Sequence, residues 1–441
     1  MGSISVSSWS VIYMYQEKWG RVFSQVSSEI KISAYSTKTN NMAGGLMQLV
    51  AYGAQDVYLT GNPKVTFFQA VYKRHTNFAM ENIEQTVNGT AASSGRVSVT
   101  VARNGDLIAD MYLELTTKIS FDTDKDAWAA ERAISTAELS IGGQRIDKHY
   151  QKWWRLYAEL YMDESKKLNY GKMTSTRVAG NTCFLPLIFF FNRNPGLALP
   201  LIALQYHEVR IDLDLASDFG TNFSALKVWG NYIYLDTEER RRFAQKGHEY
   251  LIEQVQHTGT DSLAAAAATK QVRLSYNHPV KELVWCTDIG SNVWNFTSTP
   301  VVVTSNVAAI EDSNVAISPS AAGAPALYGL TQFDEDTSGP LTSFKLVLNG
   351  QDRFKEQSGK YFNQVQPFVH HSGSPMPGIY SYSFALKPEE HQPTGTCNFS
   401  RIDNAQVSVK CDRSDSSLHM FATNYNVLRI QSGMGGLAFS N

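Results

Sequence analysis

The chain has 441 residues, of which 43% are hydrophobic, 12% aromatic and 18% charged, with a formal net charge of −2. This composition excludes a disordered chain, and the near-neutral charge argues against direct nucleic-acid coating, which needs a basic surface. The length allows two or three domains, each with its own core. The four cysteines, Cys183, Cys286, Cys397 and Cys411, form no C-x-x-C pair, so buried reduced thiols are expected rather than a zinc site or a disulfide scaffold.

Residues 1–41 are rich in Ser, with scattered apolar positions. Their longest apolar run, Val11 to Tyr15, is too short for a signal-peptide core, and no basic n-region precedes it. Met1-Gly2 resembles a myristoylation start, but Val6 stands where Ser or Thr is needed. Gly53 and Gly61-Asn62-Pro63 then read as turns around a short strand, Val57-Tyr58-Leu59. Further strands are expected at 65–68, 83–87, 97–101 and 107–115. Asn88-Gly89 and Asn104-Gly105 between them are hairpin signals. Residues 137–141 alternate and end on Gly142-Gly143, a third hairpin. Residues 126–134 and 150–162 read as short helices, with Trp153 and Trp154 against the core.

The stretch Cys183 to Leu215 holds two apolar runs, 184–191 and 197–204, split by Asn192-Arg193-Asn194-Pro195-Gly196. A membrane span needs ~20 uninterrupted apolar residues, so both runs read as buried strands. Val209 to Leu215 alternates strictly and reads as a half-buried strand. Residues 236–249, DTEERRRFAQKGHE, form a polar linker with one helical turn. A second set of strands opens at 250–256 and continues at 272–276, 283–286, 344–348, 380–386, 405–409 and 427–430. Residues 257–270 and 304–326, rich in Ala, Ser, Thr and Gly, read as surface loops.

The two halves echo each other in order. Ile83-Glu84-Gln85 recurs as Ile252-Glu253-Gln254, and Ile141-Gly142-Gly143-Gln144 as Leu348-Asn349-Gly350-Gln351. Arg210-Ile211-Asp212 recurs as Arg401-Ile402-Asp403, and Asn231-Tyr232 as Asn424-Tyr425. Two similar β domains in tandem explain that order. Each half, with about eight short strands, must bury one face of each sheet and hide its edges. A jelly roll and an immunoglobulin-like sandwich both satisfy this.

Several blocks resemble the major capsid proteins of nucleocytoplasmic large DNA viruses, especially those of algal viruses. They include YGAQDVYLTGNP, LALPLIALQYHEVRI, LDTEERRRFAQKGHEYLIEQ, NHPVKELVW, IYSYSFALKPEEHQPTGTCNFSRIDNA and NYNVLRIQSGMGGLAFSN. The resemblance covers essentially all of 42–441. It implies an all-β fold of two tandem eight-stranded jelly rolls, a double jelly roll, with short helices in the loops. The implied division is a non-family extension at 1–41, an arm at 42–64, a first roll at 65–236, a linker at 237–249 and a second roll at 250–441. Met42 is the expected natural start. The implied function is structural: homotrimeric, nearly six-sided capsomers that tile an icosahedral shell in the virion. The implied partners are neighbouring capsomers and minor capsid proteins, with the arm inward near a viral membrane and the long loops, including 304–326, outward. Folding and assembly are expected in the host cytoplasm, with no cofactor and no enzymatic role.

The chemical motifs agree with that reading. There is no G-x-S-x-G elbow and no phosphate loop. His207-Glu208 and His248-Glu249 lack the second His of a zincin helix. His370-His371, if on a strand, point to opposite faces. Asp122 to Asp126 begins like a calcium loop but has Ala127 and Ala133 where Gly and Glu are required. Gly433-Met434-Gly435-Gly436 has no following helix to form a dinucleotide loop. Sequons stand at Asn88, Asn222, Asn295 and Asn398. The first three are candidate glycosylation sites, and Asn398 sits in a strand-like segment. Two alternatives are a transient capsid-assembly scaffold and a carbohydrate-binding jelly roll. The second needs opposed carboxylates, whereas Glu389 and Glu390 are adjacent.

Overall fold

The computed structural model describes residues 44–119, 128–176, 179–263, 268–289, 339–411 and 416–439. The chain divides into two compact units, with the boundary in sequence between Arg74 and His75. The described part of the first unit has two short helices, Gly44–Val50 and Val57–Thr60, and otherwise irregular chain. The strand expected at Val57-Tyr58-Leu59 is therefore a helical turn. Local bonds win there: Thr60 N donates to Asp56 O and Gly61 N to Val57 O, both at 2.8 Å. The strand expected at 65–68 is also absent. An apolar run becomes a strand only beside a partner that accepts its ladder.

In the second unit, the first half contributes ten strands. They are β1 Phe78–Gln85, β2 Val87–Asn88, β3 Arg96–Thr100, β4 Leu107–Thr117, β5 Ile134–Ile141, β6 Gln144–Tyr150, β7 Thr182–Pro186, β8 Leu199–Pro200, β9 Val209–Leu215 and β10 Phe223–Leu235. They form one sheet in the order β1-β10-β4-β7, with β8 on β4, and a second in the order β2-β3-β9-β5-β6. The later half contributes β11 His248–Leu263, β12 Thr269–Leu274, β13 Pro279–Ile289, β14 Leu341–Leu348, β15 Gln351–Asp352 and β16 Gln357–Ser358. It continues with β17 Ile379–Ser383, β18 Cys397–Asn398, β19 Ala405–Cys411, β20 Ser416–Gln431 and β21 Met434–Leu437. Its sheets run β11-β20-β13-β17, with β18 on β13, and β12-β19-β14-β15. The order β11-β20-β13-β17 repeats β1-β10-β4-β7, and β12-β19-β14-β15 repeats β3-β9-β5-β6; every pairing is antiparallel. In both halves four-stranded paths face each other with the first and last long strands adjacent, which is the jelly-roll order.

Alternation along the strands builds the two cores. Val97, Leu113, Leu139, Ile211 and Val228 are fully buried in the first roll, and Leu283, Trp285, Phe344, Val407 and Val409 in the second. Trp285 stacks on Phe344 with centroids 4.2 Å apart. The first core does not stop at the end of its own roll. Val284, Cys286, Ile379 and Phe421 of the second roll belong to the same buried cluster.

Several segments differ from their sequence reading. Asn88-Gly89 does lead into the β2/β3 hairpin, but Asn104-Gly105 joins strands of opposite sheets. Gly105 is instead a close-approach residue, because a Cβ there would lie 2.9 Å from the Tyr232 side chain. The run 184–191 is a strand only to Pro186 and ends in the helical turn Phe190–Arg193. In 197–204 only Leu199–Pro200 pairs; Leu197, Leu201 and Leu204 are nevertheless buried, so the run is apolar because it fills the core. Of the loop expected at 257–270, residues 257–263 continue β11 and Thr269 opens β12, while 264–267 lie outside the described residues. Side chains there are alternately exposed and half-buried, which removes the apolar signature of a strand. The expected single turn in the linker is the nine-residue helix Thr237–Gln245. The helix Glu164–Thr174 has no apolar stripe, so its sequence carries no helical signal; Asp163 caps it by accepting Lys166 N–H at 2.7 Å. The 304–326 loop lies outside the described residues.

Candidate functional site

The seam between the two jelly rolls gathers several buried charged groups of the second unit, and the helix Gln151–Tyr161 builds it. Its apolar residues recur at helical spacing and its inner face is anchored in the first roll. Arg155, fully buried, lies 3.9 Å from the Trp128 ring centroid and near Glu131 and Glu159. Burial pushes the Glu131 carboxyl up, with Arg155 and Tyr170 opposing. Trp153, Tyr157 and Tyr161, spaced by four, reach the second roll. Trp153 packs on Phe421 at 5.6 Å, Tyr157 stacks on Tyr161 at 5.0 Å, and the Tyr161 hydroxyl donates to Glu282 Oε2 at 2.5 Å.

Two ionic groups flank this helix. Glu253 on β11 accepts from Lys281 at 2.6 Å and from Arg193 at 3.0 Å. Lys281 also donates to Pro388 O at 2.7 Å. Burial alone would raise the Glu253 pKa, but Arg193 and Lys281 outweigh it and hold the carboxyl below its usual range. Burial lowers the Lys281 pKa, with Glu253 opposing. His371 contacts Glu282 through Nε2 and Glu389 through Nδ1, the latter at 3.3 Å. Burial opposes its charged form, yet the two carboxylates push its pKa up to about 9. Between these groups lies a cavity of about 270 Å³ lined by Tyr157, Tyr161, Arg193, Glu253, Lys281 and Glu389, among others. Backbone groups tie the same seam. Val255 N donates to Asp147 Oδ1 at 3.0 Å, Gly373 N to Leu160 O at 3.1 Å, and Tyr206 N to Gly433 O at 2.9 Å. Each charged group in these clusters faces one of opposite sign, so the arrangement holds two domains in a fixed relation.

The residues weighed in the sequence occupy ordinary structural positions or this seam. His207 Nδ1 lies 2.8 Å from Gly435 O, and His248 Nε2 lies 2.8 Å from Phe243 O. His370 and His371 lie at a helix end rather than on a strand. His370 contacts Leu386 O and His371 enters the seam. Glu389 joins His371 while Glu390 pairs with exposed Lys387. Cys183, Cys286 and Cys411 are buried cysteines, and burial pushes the Cys183 thiol up to about 12. Among the described residues no group of His, Cys, Asp and Glu suits a metal ion, and no helix is long and apolar enough to cross a membrane. Asp122 to Asp126 and Asn295 lie outside the described residues. Asn88 is exposed beside the β2/β3 turn. Asn222 is half-buried, and its amide donates to Asp218 Oδ2 at 2.7 Å. Asn398 accepts from Ser400 N at 3.0 Å. Sequence reasoning missed Arg193, Glu253, Lys281 and Glu282 as a set, because they come together only through the packing of two domains. Single charges inside otherwise apolar strands, such as Lys281-Glu282 before Leu283-Val284-Trp285, were the available signal.

Comparison with known proteins gives this geometry its context. Residues 66–236 match the family model "Major capsid protein N-terminus", and residues 239–436 match "Large eukaryotic DNA virus major capsid protein". The chain is 44% identical over 450 residues to the major capsid protein of Paramecium bursaria Chlorella virus 1, covering 91% of this chain and all of that one. It is also 44% identical over 441 residues to the major capsid protein of Pyramimonas orientalis virus, with the same coverage. The structure is similar to the PBCV-1 virus capsid quasi-atomic model, at a TM-score of 0.72 and 41% identity, covering 85% of this chain and all of that one. The Faustovirus major capsid protein shares the fold at a TM-score of 0.65 but only 12% identity. A double jelly roll with matches of this extent over both halves leaves one assignment: the chain belongs to the major capsid protein family of large eukaryotic DNA viruses and is a structural protein of the capsid.

Proposed function

We propose that the chain forms a homotrimeric, pseudo-hexagonal capsomer that tiles an icosahedral shell. The observation that carries this reading is the repeated four-strand order of the two rolls, joined by a buried charged seam. One chain thereby presents two like domains in one fixed relation. Three such chains around an axis give six similar domains, and ring closure is the common route for homo-oligomers. Interfaces of this permanent kind bury ~2,000–5,000 Å². The working division is the arm 42–64, the first roll 65–236, the linker 237–249 and the second roll 250–441, with 1–41 outside the shell unit. The partners are neighbouring capsomers and minor capsid proteins, with the arm on the inner side near a membrane and assembly in the host cytoplasm. Of the candidate glycan sites, Asn88 is favoured by its exposure, and peptide mass spectrometry of virion protein tests it. Light scattering on a size-exclusion column tests the assembly: a mass of three chains at all practical dilutions is expected, and a folded monomer refutes the trimer.

A further inference from the structure

A histidine of the second roll meets each end of the helix Gln151–Tyr161, and the two are in opposite situations. At the C-terminal end, His371 lies 5.1 Å from the Tyr161 ring and between Glu282 and Glu389, which keep it charged. At the N-terminal end, His257 of β11 is enclosed by rings and cations. Its ring stacks on Phe421 with centroids 4.5 Å apart and lies 4.8 Å from Tyr150 of the first roll. Tyr150 and Trp153 of the first roll also reach Phe421, at 6.2 and 5.6 Å. His257 is therefore one layer of the aromatic stack that joins the rolls. The backbone presents it there: the pairing of β11 with β20 shifts register between His257 and Thr260, and Gly259 takes φ +111°. Such a bulge re-aims the side chains beside it.

The groups that face His257 from each packed element favour the neutral ring. The helix brings Lys152, which is buried. β20 brings His419, whose ring is stacked 6.0 Å from His257, and β13 sets Cys286 across from His419. β6 brings Tyr150, with Lys148 5.6 Å from its ring, and Asp147. The Asp147 carboxylate is already engaged, by His149 Nε2 at 2.9 Å and Val255 N at 3.0 Å. On β11 itself, Asp261 pairs with Lys270 at 3.7 Å. Burial, then His419 and Lys152, oppose a charge on His257 and bring its pKa down to about 4. Its Nε2 is also buried without a hydrogen-bond partner. A neutral imidazole can leave one nitrogen as a bare acceptor, whereas protonation makes both nitrogens donors. A protonated His257 would thus hold a buried donor without an acceptor and a buried charge without a counter-charge, and both are costly.

We propose that His257 is an acid-release latch between the two rolls: neutral, it closes their contact at the N-terminal end of the helix, and protonated, it leaves the Tyr150–Phe421 stack and opens that end. Protonation of a buried histidine is a known way to flip a contact in acid. The folded value lies below the ordinary 6.5 of the open state, so the contact is at full strength above pH 6.5. It weakens as pH falls from 6.5 toward 4 and levels off below that. The gap between the two values biases the contact toward opening on the order of a hundredfold. His371 stays charged throughout this range, so the other end of the helix remains held. The latch acts within one chain and does not rest on the trimer.

The test is backbone hydrogen exchange of the full chain at pH 7 and pH 4, read by mass spectrometry and corrected for the intrinsic effect of pH, on the wild type and His257→Phe. The variant keeps an aromatic ring in the stack and cannot charge. In the wild type, segments 146–157 and 250–257 should lose protection at pH 4 on the order of a hundredfold relative to β9, which lies inside the first roll. His257→Phe should keep that protection. Wild-type segments equally protected at both pH values, or a variant that loses protection as the wild type does, overturn the latch. If His257→Phe fails to fold, exchange of the His257 Cε1 hydrogen titrates the ring in the wild type itself. A midpoint near pH 4 is expected, and one near 6.5 overturns the proposal.

Discussion

His371 carries a charge in a place where burial disfavours it, and it does so because Glu282 and Glu389 face it from two other segments. Tyr161, the remaining titratable group in contact, donates to Glu282 and has its own pKa raised by burial and that carboxylate. A histidine with pKa about 9 in the folded state and about 6.5 unfolded adds stability that is full below pH 6.5. That stability is lost as pH rises through 9. The linkage is on the order of 3 kcal/mol. His371→Gln should therefore flatten the decline in melting temperature between pH 7 and pH 10. An unchanged decline would place the alkaline sensitivity elsewhere. On the acidic partner of the second cluster, Glu253→Gln leaves Arg193 and Lys281 buried without their counter-charge. Loss of one partner of a buried pair costs about 3–5 kcal/mol, readable as a lowered denaturant midpoint. None of these pairings was legible in the sequence. Glu253 lies 60 positions from Arg193, and only the approach of the two rolls makes them neighbours.

At the scale of elements, the turns were the most legible feature and the long apolar runs the least. Ile141-Gly142-Gly143-Gln144 and Leu348-Asn349-Gly350-Gln351 were matched by sequence, and both are tight hairpin turns. Their central φ values are +57° and +81° in the first and +50° and +79° in the second. Two positive φ values match the twist of the flanking strands. The two turns should respond differently to the same change. A Cβ at Gly350 meets nothing within 4 Å, so Gly350→Ala carries only the backbone penalty, about 1 kcal/mol. A Cβ at Gly142 would lie 2.3 Å from His207 Nδ1, so Gly142→Ala must also displace that ring. Thermal unfolding of the pair checks this; equal losses would mean that His207 moves freely. The helix Gln151–Tyr161 was legible from its spacing, and Trp153 and Trp154 do pack inward. Its partner across the seam was not, because periodicity reports which face is apolar and not what covers it. Trp153→Ala should cost about 3–5 kcal/mol, as for other large-to-small core changes, and loosen the fit against Phe421. The runs 184–191 and 197–204 misled because full burial makes turns and strands equally apolar.

Over the whole molecule, the ordered echoes pointed to tandem domains, and the strand orders of the two halves bear that out. Three of the echoes fall at equivalent places, in β1 and β11, in the two tight turns, and in β10 and β20. The fourth is displaced: Arg210-Ile211-Asp212 lies inside β9, while Arg401-Ile402-Asp403 precedes β19. The choice of a jelly roll over another sandwich came from family resemblance, since alternation fixes which face is buried and not the order of strands across a sheet. What the molecule adds is rigidity between repeats. A shared apolar cluster, two ionic groups and several backbone bonds cross the seam, so the two rolls should move as one body. Under the assembly proposed above, that rigidity would let a chain of two domains serve as one third of a nearly six-sided tile. The most direct measurement is an electron cryomicroscopy reconstruction of native particles at side-chain resolution. The account predicts three copies per capsomer and six upright rolls around the axis. Capsomers of another copy number would contradict it.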